Sequence, residues 1–336
     1  MAELHANISP RSAPLEACGT VSDEAEQLQT LARRMSVVHL RQRLGIESEG
    51  GQHVFGYGRN FFHPENWFSM HSLLRKGLRL LLLEERGRRN TLAVRLMHNR
   101  VQLAGLPESF AGFRILHLSD LHLDVSAAFV QRLVERVSTL EYDLCVITGD
   151  FRFRTHGSYA AALAGMAQLM PQLSGPVYGV LGNHDCIRMV PGLEAMGIKM
   201  LLNESVVVRR GEDELHLAGV DDPHYYRVDN LERACGDIAP GALAVLLSHS
   251  PEIYKQVAHT GVSLMLCGHT HGGQIRLPGG IPLMTNAQCP RRFCGGPWRH
   301  CRLQGYTSLG TGSSIIAARF NCPPEMTIHH LQAAPS

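Results

Sequence analysis

Acid, amide and imidazole side chains recur in this sequence at the ends of short apolar runs. RILHLS (114–119) is followed by Asp120, with His122 two residues on, and DLCVIT (143–148) is followed by Gly149 and Asp150. VYGVL (177–181) leads into Gly182, Asn183, His184 and Asp185; ALAVLLS (242–248) leads into His249. SLMLC (263–267) leads into Gly268, His269, Thr270 and His271. Apolar runs of this length read as buried strands. In α/β proteins the side chains at the carboxyl ends of such strands converge on one place. Placement alone therefore nominates Asp120, Asp150, Asn183, His249 and His269. A single strand-end histidine or Gly-Asp pair is an ordinary loop feature; five independent placements are the signal. Carboxylate, imidazole and amide donors together suit borderline divalent ions such as Mn, Zn, Fe or Co, without any cysteine. The donors exceed what one tetrahedral ion takes, so two ions sharing a carboxylate, about 3.5–4 Å apart, are the economical arrangement. The glycines preceding three of these residues allow a sharp turn and a close backbone approach.

The elements that would position these residues can be read from the rest of the chain. Helical spacing fills Ala127–Leu140 and 158–173, and LHLAGV (215–220) adds a further strand, so residues from Phe113 onward read as an α/β domain. The stretch 92–106 reads as a strand entering that domain, expected to span 92–332. Ahead of it, residues 1–20 read as a disordered tail and 21–91 as a helical and aromatic extension. In that extension Leu28, Leu31, Met35 and Val38 mark one helix over 22–44, started by Thr20 and Asp23. A loop rich in aromatics runs from Phe55 to Phe68. From Ser72 the chain is apolar and basic at once: Ser72–Arg100 carries eight Lys/Arg against two acids. Either a packed helix with a solvated basic face or a helix lying on a membrane surface accounts for it.

With 336 residues, 44% apolar and 18% charged, the chain is an ordinary globular length and composition. A formal net charge of +2 gives no case for a nucleic-acid partner. Nine cysteines, an odd number spread over a long chain, argue against a secreted disulfide framework and for a reducing cytoplasm. The opening residues lack the apolar core of a secretory signal. No run reaches the roughly 18 apolar residues of a membrane span.

SDLHLD (119–124), TGD (148–150), GNHD (182–185), SHSPE (248–252) and GHTHGG (268–273) resemble, in this order, the five blocks of the calcineurin-like metallophosphoesterase superfamily. The resemblance covers about residues 92–331. It implies a four-layer αββα sandwich of two mixed sheets flanked by helices, with the site at one end. It also implies a division of ligands. Asp120, His122 and His271 would hold one ion; Asn183, His249 and His269 would hold the other; Asp150 would bridge them. His184 would be the catalytic histidine outside the ligand set, oriented by Asp185. Finer stretches (105–124, 268–280 and 319–331) resemble a bacterial membrane-associated branch. That branch includes general phosphodiesterases and UDP-2,3-diacylglucosamine pyrophosphohydrolases.

The expected activity is hydrolysis of a phosphodiester or pyrophosphate with two divalent ions (Mn preferred; Zn, Fe or Mg also suited). A water acidified by the ions would attack phosphorus, and His184 would protonate the leaving oxygen. The expected substrate is a phosphate ester, with a nucleotide-linked lipid such as UDP-2,3-diacylglucosamine as the specific choice. The expected location is cytoplasmic, peripheral on the inner membrane face through residues 72–100. CPRRFCGGPWRHC (289–301) reads as a mobile loop that brings Arg291, Arg292 and Arg299 over the entrance, with Phe293 and Trp298 meeting a lipid or base. Asp124 reads as a supporting or surface residue and Cys186 and Cys267 as packing; the resemblance places Asp221 and Asp222 on a loop beside the site, with a substrate or structural role. A protein Ser/Thr phosphatase fits less well: the residues after Asp150 are FRFRTHG in place of the G-D-x-x-D-R-G pattern of those enzymes, and the GNH block ends in Asp185 where they have Glu. A non-catalytic scaffold on the same fold would have lost ligand residues, and none is lost.

Overall fold

The computed structural model describes residues 21–49, 76–282, 284–314 and 317–335. The expected tail 1–20, the aromatic loop and Ser72–Arg75 lie outside the described residues. Twelve strands are β1 (Arg95–Leu103), β2 (Arg114–Leu118), β3 (Leu144–Thr148), β4 (Val177–Val180), β5 (Ile198–Met200), β6 (Glu204–Arg210), β7 (Asp213–Gly219), β8 (Ala244–Leu247), β9 (Leu264–Cys267), β10 (Gly296–His300), β11 (Leu303–Thr307) and β12 (Glu325–Ala333). They form two six-stranded sheets, ordered β1-β12-β2-β3-β4-β5 and β10-β11-β9-β8-β7-β6. Both are mixed. In the first, β12 runs antiparallel to β2 while β2, β3, β4 and β5 are parallel. In the second, only β6 and β10 run against their neighbours.

The strands read as unbroken apolar runs because both faces of each sheet are covered. Ile115, Leu144, Val146 and Val180 of the first sheet meet Leu215, Leu217, Val245, Leu247, Leu264 and Leu266 of the second in one core. The alternate residues point outward. Leu116, Leu118, Cys145 and Ile147 pack under helices α4 (Ala127–Val137) and α5 (Ala160–Leu169). Ala244, Leu246, Met265 and Cys267 pack under the other helical layer with Ile253, Tyr254 and Val257. The result is the expected αββα sandwich. Helix α4 begins where Ser126 accepts the Phe129 N–H at 3.3 Å, and it buries Phe129, Val130, Leu133 and Val137 at helical spacing.

The N-terminal segment departs from the single expected helix. Ser36 takes φ 79°, which breaks the pattern into α1 (Val21–Met35) and α2 (Val37–Glu49). Leu31, Met35 and Leu40 are buried in the same core as α4 and α5, so both helices are part of the outer layer. The apolar-basic segment is not one helix either. Residues 76–80 make a helical turn, Leu82 reverses at φ 56°, and α3 (Glu84–Thr91) follows. Leu78 is buried against Ala318, whereas Leu80, Leu81 and Leu82 are 85%, 66% and 89% exposed. From Arg95 onward the segment is β1, so among its described residues 76–94 lie outside a sheet. No described helix is long and apolar enough to cross a membrane.

Candidate metal centre

The strand ends meet as the runs required. Asp120 and His122 follow β2, Asp150 follows β3, Asn183 and His184 follow β4, His249 follows β8, and His269 and His271 follow β9. Asp120, His122 and His271 each present one donor atom within a 4.8 Å group, as do Asp120, Asp150 and His249. A third such group joins His122, Asp150 and His184. Asp150 Oδ2 lies 3.4 Å from His249 Nε2 and 3.9 Å from both His122 Nε2 and His184 Nε2. Asn183 Oδ1 and His269 Nδ1 approach His249 Nε2 at 2.9 and 3.2 Å. The seven nominated residues therefore form one cluster around the Asp150 carboxylate, all buried except the half-buried Asn183.

The backbone is bent to achieve this. Asp120, His122, Asp150, His269 and His271 all have left-handed φ, between 45° and 69°. Asp and His tolerate that region better than most residues, but it still costs roughly 1–2 kcal/mol each. Neighbouring glycines make room. A Cβ on Gly182 would sit 2.6 Å from the Asp150 amide nitrogen, and one on Gly268 would collide with Ser119 Oγ and Asp120 Oδ2. The turns are held by their own hydrogen bonds. Asp120 accepts the His269 N–H at 3.1 Å and the Ser119 hydroxyl at 2.7 Å.

Outer partners set the imidazoles. His122 Nδ1 donates to Arg152 O at 2.8 Å, His249 Nδ1 to Thr148 O at 2.7 Å, and His269 Nε2 to Asn286 O at 2.5 Å. In each ring the remaining nitrogen faces the cluster, which is how a metal-binding histidine is oriented. His271 differs: its Nδ1 lies 3.1 Å from the Arg319 guanidinium, and its Nε2 lies 3.3 Å from His122 Nε2 and 3.4 Å from Asp120 Oδ1. Inward-facing imidazole nitrogens beside two carboxylates are a donor set that fits divalent cations.

The charges reinforce that fit. Burial pushes Asp120 up to about 6, with the His249 charge pulling the other way. Burial opposes a charge on His249 too, but Asp150 and Asp120 outweigh it and raise the imidazole to about 10. Burial likewise acts against the Asp150 anion, yet His249 and His184 hold it well below the usual carboxylate range. Burial brings His122 down to about 3 and holds His269 and His271 well below the usual value. Near neutral pH the metal-free cluster thus carries a proton on His249 that a cation must displace. Uptake of Mn at pH 7.5 should release about one proton per protein. Below pH 6 affinity should fall, because Asp120 is then protonated too. Titration calorimetry in buffers of different ionisation enthalpy measures this, and a binding heat independent of buffer would refute it.

His184 stands at the rim. Its backbone N–H donates to Asp150 Oδ1 at 2.9 Å, and its Nδ1 is held by Phe153 O. The expected orientation of this ring by Asp185 is corrected by the structure. The Asp185 carboxylate accepts the N–H groups of Asp150, Phe151 and Gly182 at 2.8–2.9 Å and ties those two turns together. It points into the backbone because four amide donors lie there, the fourth being the Arg152 N–H at 3.3 Å, whereas Phe153 O already occupies His184 Nδ1. Asp124 supports the ring indirectly by accepting the Phe153 N–H at 2.7 Å. Asp222 anchors a loop by accepting the N–H groups of Tyr225 and Tyr226, and Asp221 is buried in an ion pair with Arg43.

The arginine loop is also corrected. Residues 296–300 are strand β10, and Phe293 and Trp298 are buried and stacked at 4.7 Å. They are core residues, closed to a lipid or base. Because β10 runs antiparallel to β11, Arg299 pairs with Gln304 at the end of the sheet away from the cluster. Arg291 and Arg292 remain exposed, on the turn before Phe293.

Several participants were not nominated from the sequence. Arg152 is buried and donates to the carbonyls of His184, Thr155 and Gly157. Arg319 is buried and donates to carbonyls of Leu309, Gly310, Gly312 and His271. His224 lies with its ring 4.0 Å from that of His269 and bonds Glu252 at 3.1 Å. A buried chain runs from His329 through His117, Thr148 and Ser119 to Asp120, in steps of 2.7–3.2 Å. Ser119, Thr148 and Glu252 lie within the motif blocks without having been singled out; for the others the one signal available was a polar residue inside or just past an apolar strand, as at His117.

The family profile for calcineurin-like phosphoesterases matches residues 113–273, which span every nominated metal-binding residue and His184 and Asp185. Metallophosphoesterase YkoQ of Bacillus subtilis is 30% identical over 240 residues, covering 68% of this chain and 87% of that protein. The chain belongs to the calcineurin-like metallophosphoesterase family. Two further relatives widen the comparison. Phosphodiesterase YaeI of Escherichia coli is 27% identical over 253 residues, covering 69% of this chain and 87% of YaeI. A zebrafish transmembrane protein with a metallophosphoesterase domain is 33% identical over 246 residues, covering 66% of this chain. The chain spans 54% of that relative's length. The family's metal requirement agrees with the cluster of Asp and His described above.

Proposed function

We propose that this chain is a hydrolase of phosphodiester or pyrophosphate bonds, working with two divalent cations. The reading is supported by the convergence of Asp120, His122, His271, Asn183, His249 and His269 around Asp150. These residues would hold the cations; Asp150 would serve both. Bound cations supply Lewis acidity to the phosphoryl oxygens and acidify a water molecule. The preferred cation is Mn, and the ligand set equally suits Zn, Fe and Mg.

The chain's own residues do the rest. The left-handed turns at the strand ends hold the donors in place before substrate arrives, so little reorganisation is needed in the transition state. His184 would move a proton at Nε2, the nitrogen that faces the cluster, toward the leaving oxygen. Phe153 O fixes the ring's other nitrogen, and Arg152 fixes the backbone beneath it. His184→Gln is expected to lower kcat on a diester with a poor leaving group by about 10²-fold. A nitrophenyl diester should lose far less. Bound metal, counted by elemental analysis, should stay at the wild-type level; equal losses on both substrates would remove the acid role.

The finer reading is a nucleotide-linked lipid, such as a UDP-2,3-diacylglucosamine, met at the inner face of a membrane. Its support is a collar of exposed apolar side chains. Leu80, Leu81 and Leu82 adjoin the small core formed by Leu78, Ala318, Ile275 and Phe320. Leu277, Ile281 and Met284, also exposed, follow Ile275 on the loop after His271. Lys76, Arg79, Arg86, Arg88 and Arg89 lie in the same stretch, and each basic residue near an anionic surface is worth about 1 kcal/mol. Replacing Leu80, Leu81 and Leu82 by Ser should release the protein from phosphatidylserine vesicles in a flotation assay. It should also lower hydrolysis of the vesicle-borne nucleotide lipid while sparing a soluble diester. Retained flotation would end the membrane reading, and activity on soluble diesters alone would end the lipid substrate.

A further inference from the structure

Two cysteines in the segment after the metal-binding turn are close enough to react with each other. Cys289 Sγ and Cys294 Sγ lie 3.7 Å apart, joined by Pro290 and a single turn over Arg291–Phe293. A disulfide needs about 2.05 Å between sulfurs, so a modest side-chain rotation closes the gap. Cys289 is half-buried and Cys294 buried. The segment around them forms part of the site's wall. Thr270, between His269 and His271, donates its hydroxyl to Cys294 O at 2.7 Å. Asn286 O receives the His269 Nε2 proton at 2.5 Å. The Gln288 N–H donates to Glu252, which also holds His224.

The thiols differ in readiness. The hydrogen bond from Cys289 brings the Cys294 thiol down to about 7, against burial and with help from Thr285, Arg276 and Arg291. Cys289 moves the opposite way, as the donor of that bond. Burial raises Cys186 and Cys235 to about 11, which leaves them inert near neutral pH. The pair thus has an ionised sulfur beside a protonated one, the arrangement of a thiol with its resolving partner.

We infer that Cys289 and Cys294 are an oxidisable site, closed to a disulfide by a hydroperoxide and reopened by thiols, which staples the wall segment against His269 and Thr270. The Cys294 thiolate attacks the peroxide oxygen; the O–O bond breaks, and the departing oxide takes a proton to leave as alcohol or water. The Cys289 sulfur then attacks the resulting sulfenic sulfur; the S–O bond breaks, water leaves, and the S–S bond forms. Two thiols and one hydroperoxide give one disulfide, one alcohol and one water. The linkage is independent of the metal; its effect on metal retention rests on the metal-site reading above.

The test uses the full chain, metal-loaded, with and without hydrogen peroxide. Arg291 and Arg292 lie between the two cysteines, so trypsin separates Leu277–Arg291 from Phe293–Arg299 in the reduced protein. Oxidation should join these peptides in the mass spectrum, and dithiothreitol should part them. In the oxidised protein, loss of metal to a chelator should slow by about tenfold, the low end of what outer partners of a ligand histidine control. Cys289→Ser and Cys294→Ser should each abolish both effects. Absence of the joined peptides, or oxidation confined to the exposed Cys301, would overturn the site. Joined peptides with unchanged metal loss would overturn the staple. A protein that holds no metal but still forms the joined peptides would overturn the metal reading alone.

Discussion

Asp150→Asn is expected to lower kcat/KM for a phosphodiester by roughly 10³-fold or more, while the protein stays folded. The substitution keeps size and shape and removes one negative charge. That charge faces His249, His122 and His184 within 3.4–3.9 Å, and the same carboxylate accepts the His184 N–H. An amide at this position can still accept that N–H, so the turn should survive. It cannot balance two cations, so metal content should fall from two ions to one or none. Elemental analysis, circular dichroism and steady-state kinetics on one preparation check the three parts together. Full metal occupancy with wild-type kinetics would remove Asp150 from the bridging role. Excess Mn should restore little of the activity, because the missing element is charge between the two subsets.

Arg43→Met is expected to destabilise the protein by about 3–5 kcal/mol and to depress activity from outside the metal cluster. Arg43 is wholly buried on α2. Its guanidinium lies 3.2 Å from Asp221, 3.1 Å from Glu47 and 3.4 Å from the Tyr226 ring centre. It donates to Asp185 O at 2.8 Å, on the turn that carries Asn183 and His184. Removing it leaves the buried Asp221 anion with His39, at 2.9 Å, and the Asp222 N–H, at 2.8 Å, and no guanidinium to balance its charge. A carboxylate stranded in that way is the expensive half of a broken buried pair. Urea unfolding should show the loss, and the double variant Arg43→Met with Asp221→Asn should recover part of it. Arg43→Lys should not, since one ammonium cannot serve Asp221, Glu47 and a carbonyl at once. A loss below 1 kcal/mol would mean that α2 is merely appended. The expected result makes residues 37–49 part of the machinery that shapes the catalytic turn, beyond the helical extension the sequence suggests.

Asp120, Asp150, Asn183, His249 and His269 were legible in the sequence because each sits directly past an apolar run, and strand ends of an α/β sheet share one edge. The same runs made an α/β domain of buried strands legible, since only strands covered on both faces remain apolar at every position, as Leu144–Ile147 and Ala244–Leu247 are; the two facing sheets came from the family resemblance. His122 and His271 needed the spacing of the full motif, because nothing in alternation or periodicity distinguishes them from loop histidines. The tertiary structure decided what depends on direction and on distant partners. Asp185 turns toward amide groups of two loops, which the adjacent His184 in sequence could not reveal. Arg299 is carried away from the cluster because β10 runs antiparallel to β11, and local sequence does not encode that choice. Ser36 splits the first helix through a backbone angle that tertiary packing of α1 and α2 rewards, against a helical pattern that continues through it. Nothing in the local sequence marks Arg43, Arg152 and Arg319, yet each is buried by carbonyls or carboxylates that the fold gathers round it. The composition of the cluster was set locally, one strand end at a time; its support is set by contacts between distant residues, from 35 positions apart for Asp150 and Asp185 to 142 for Arg43 and Asp185.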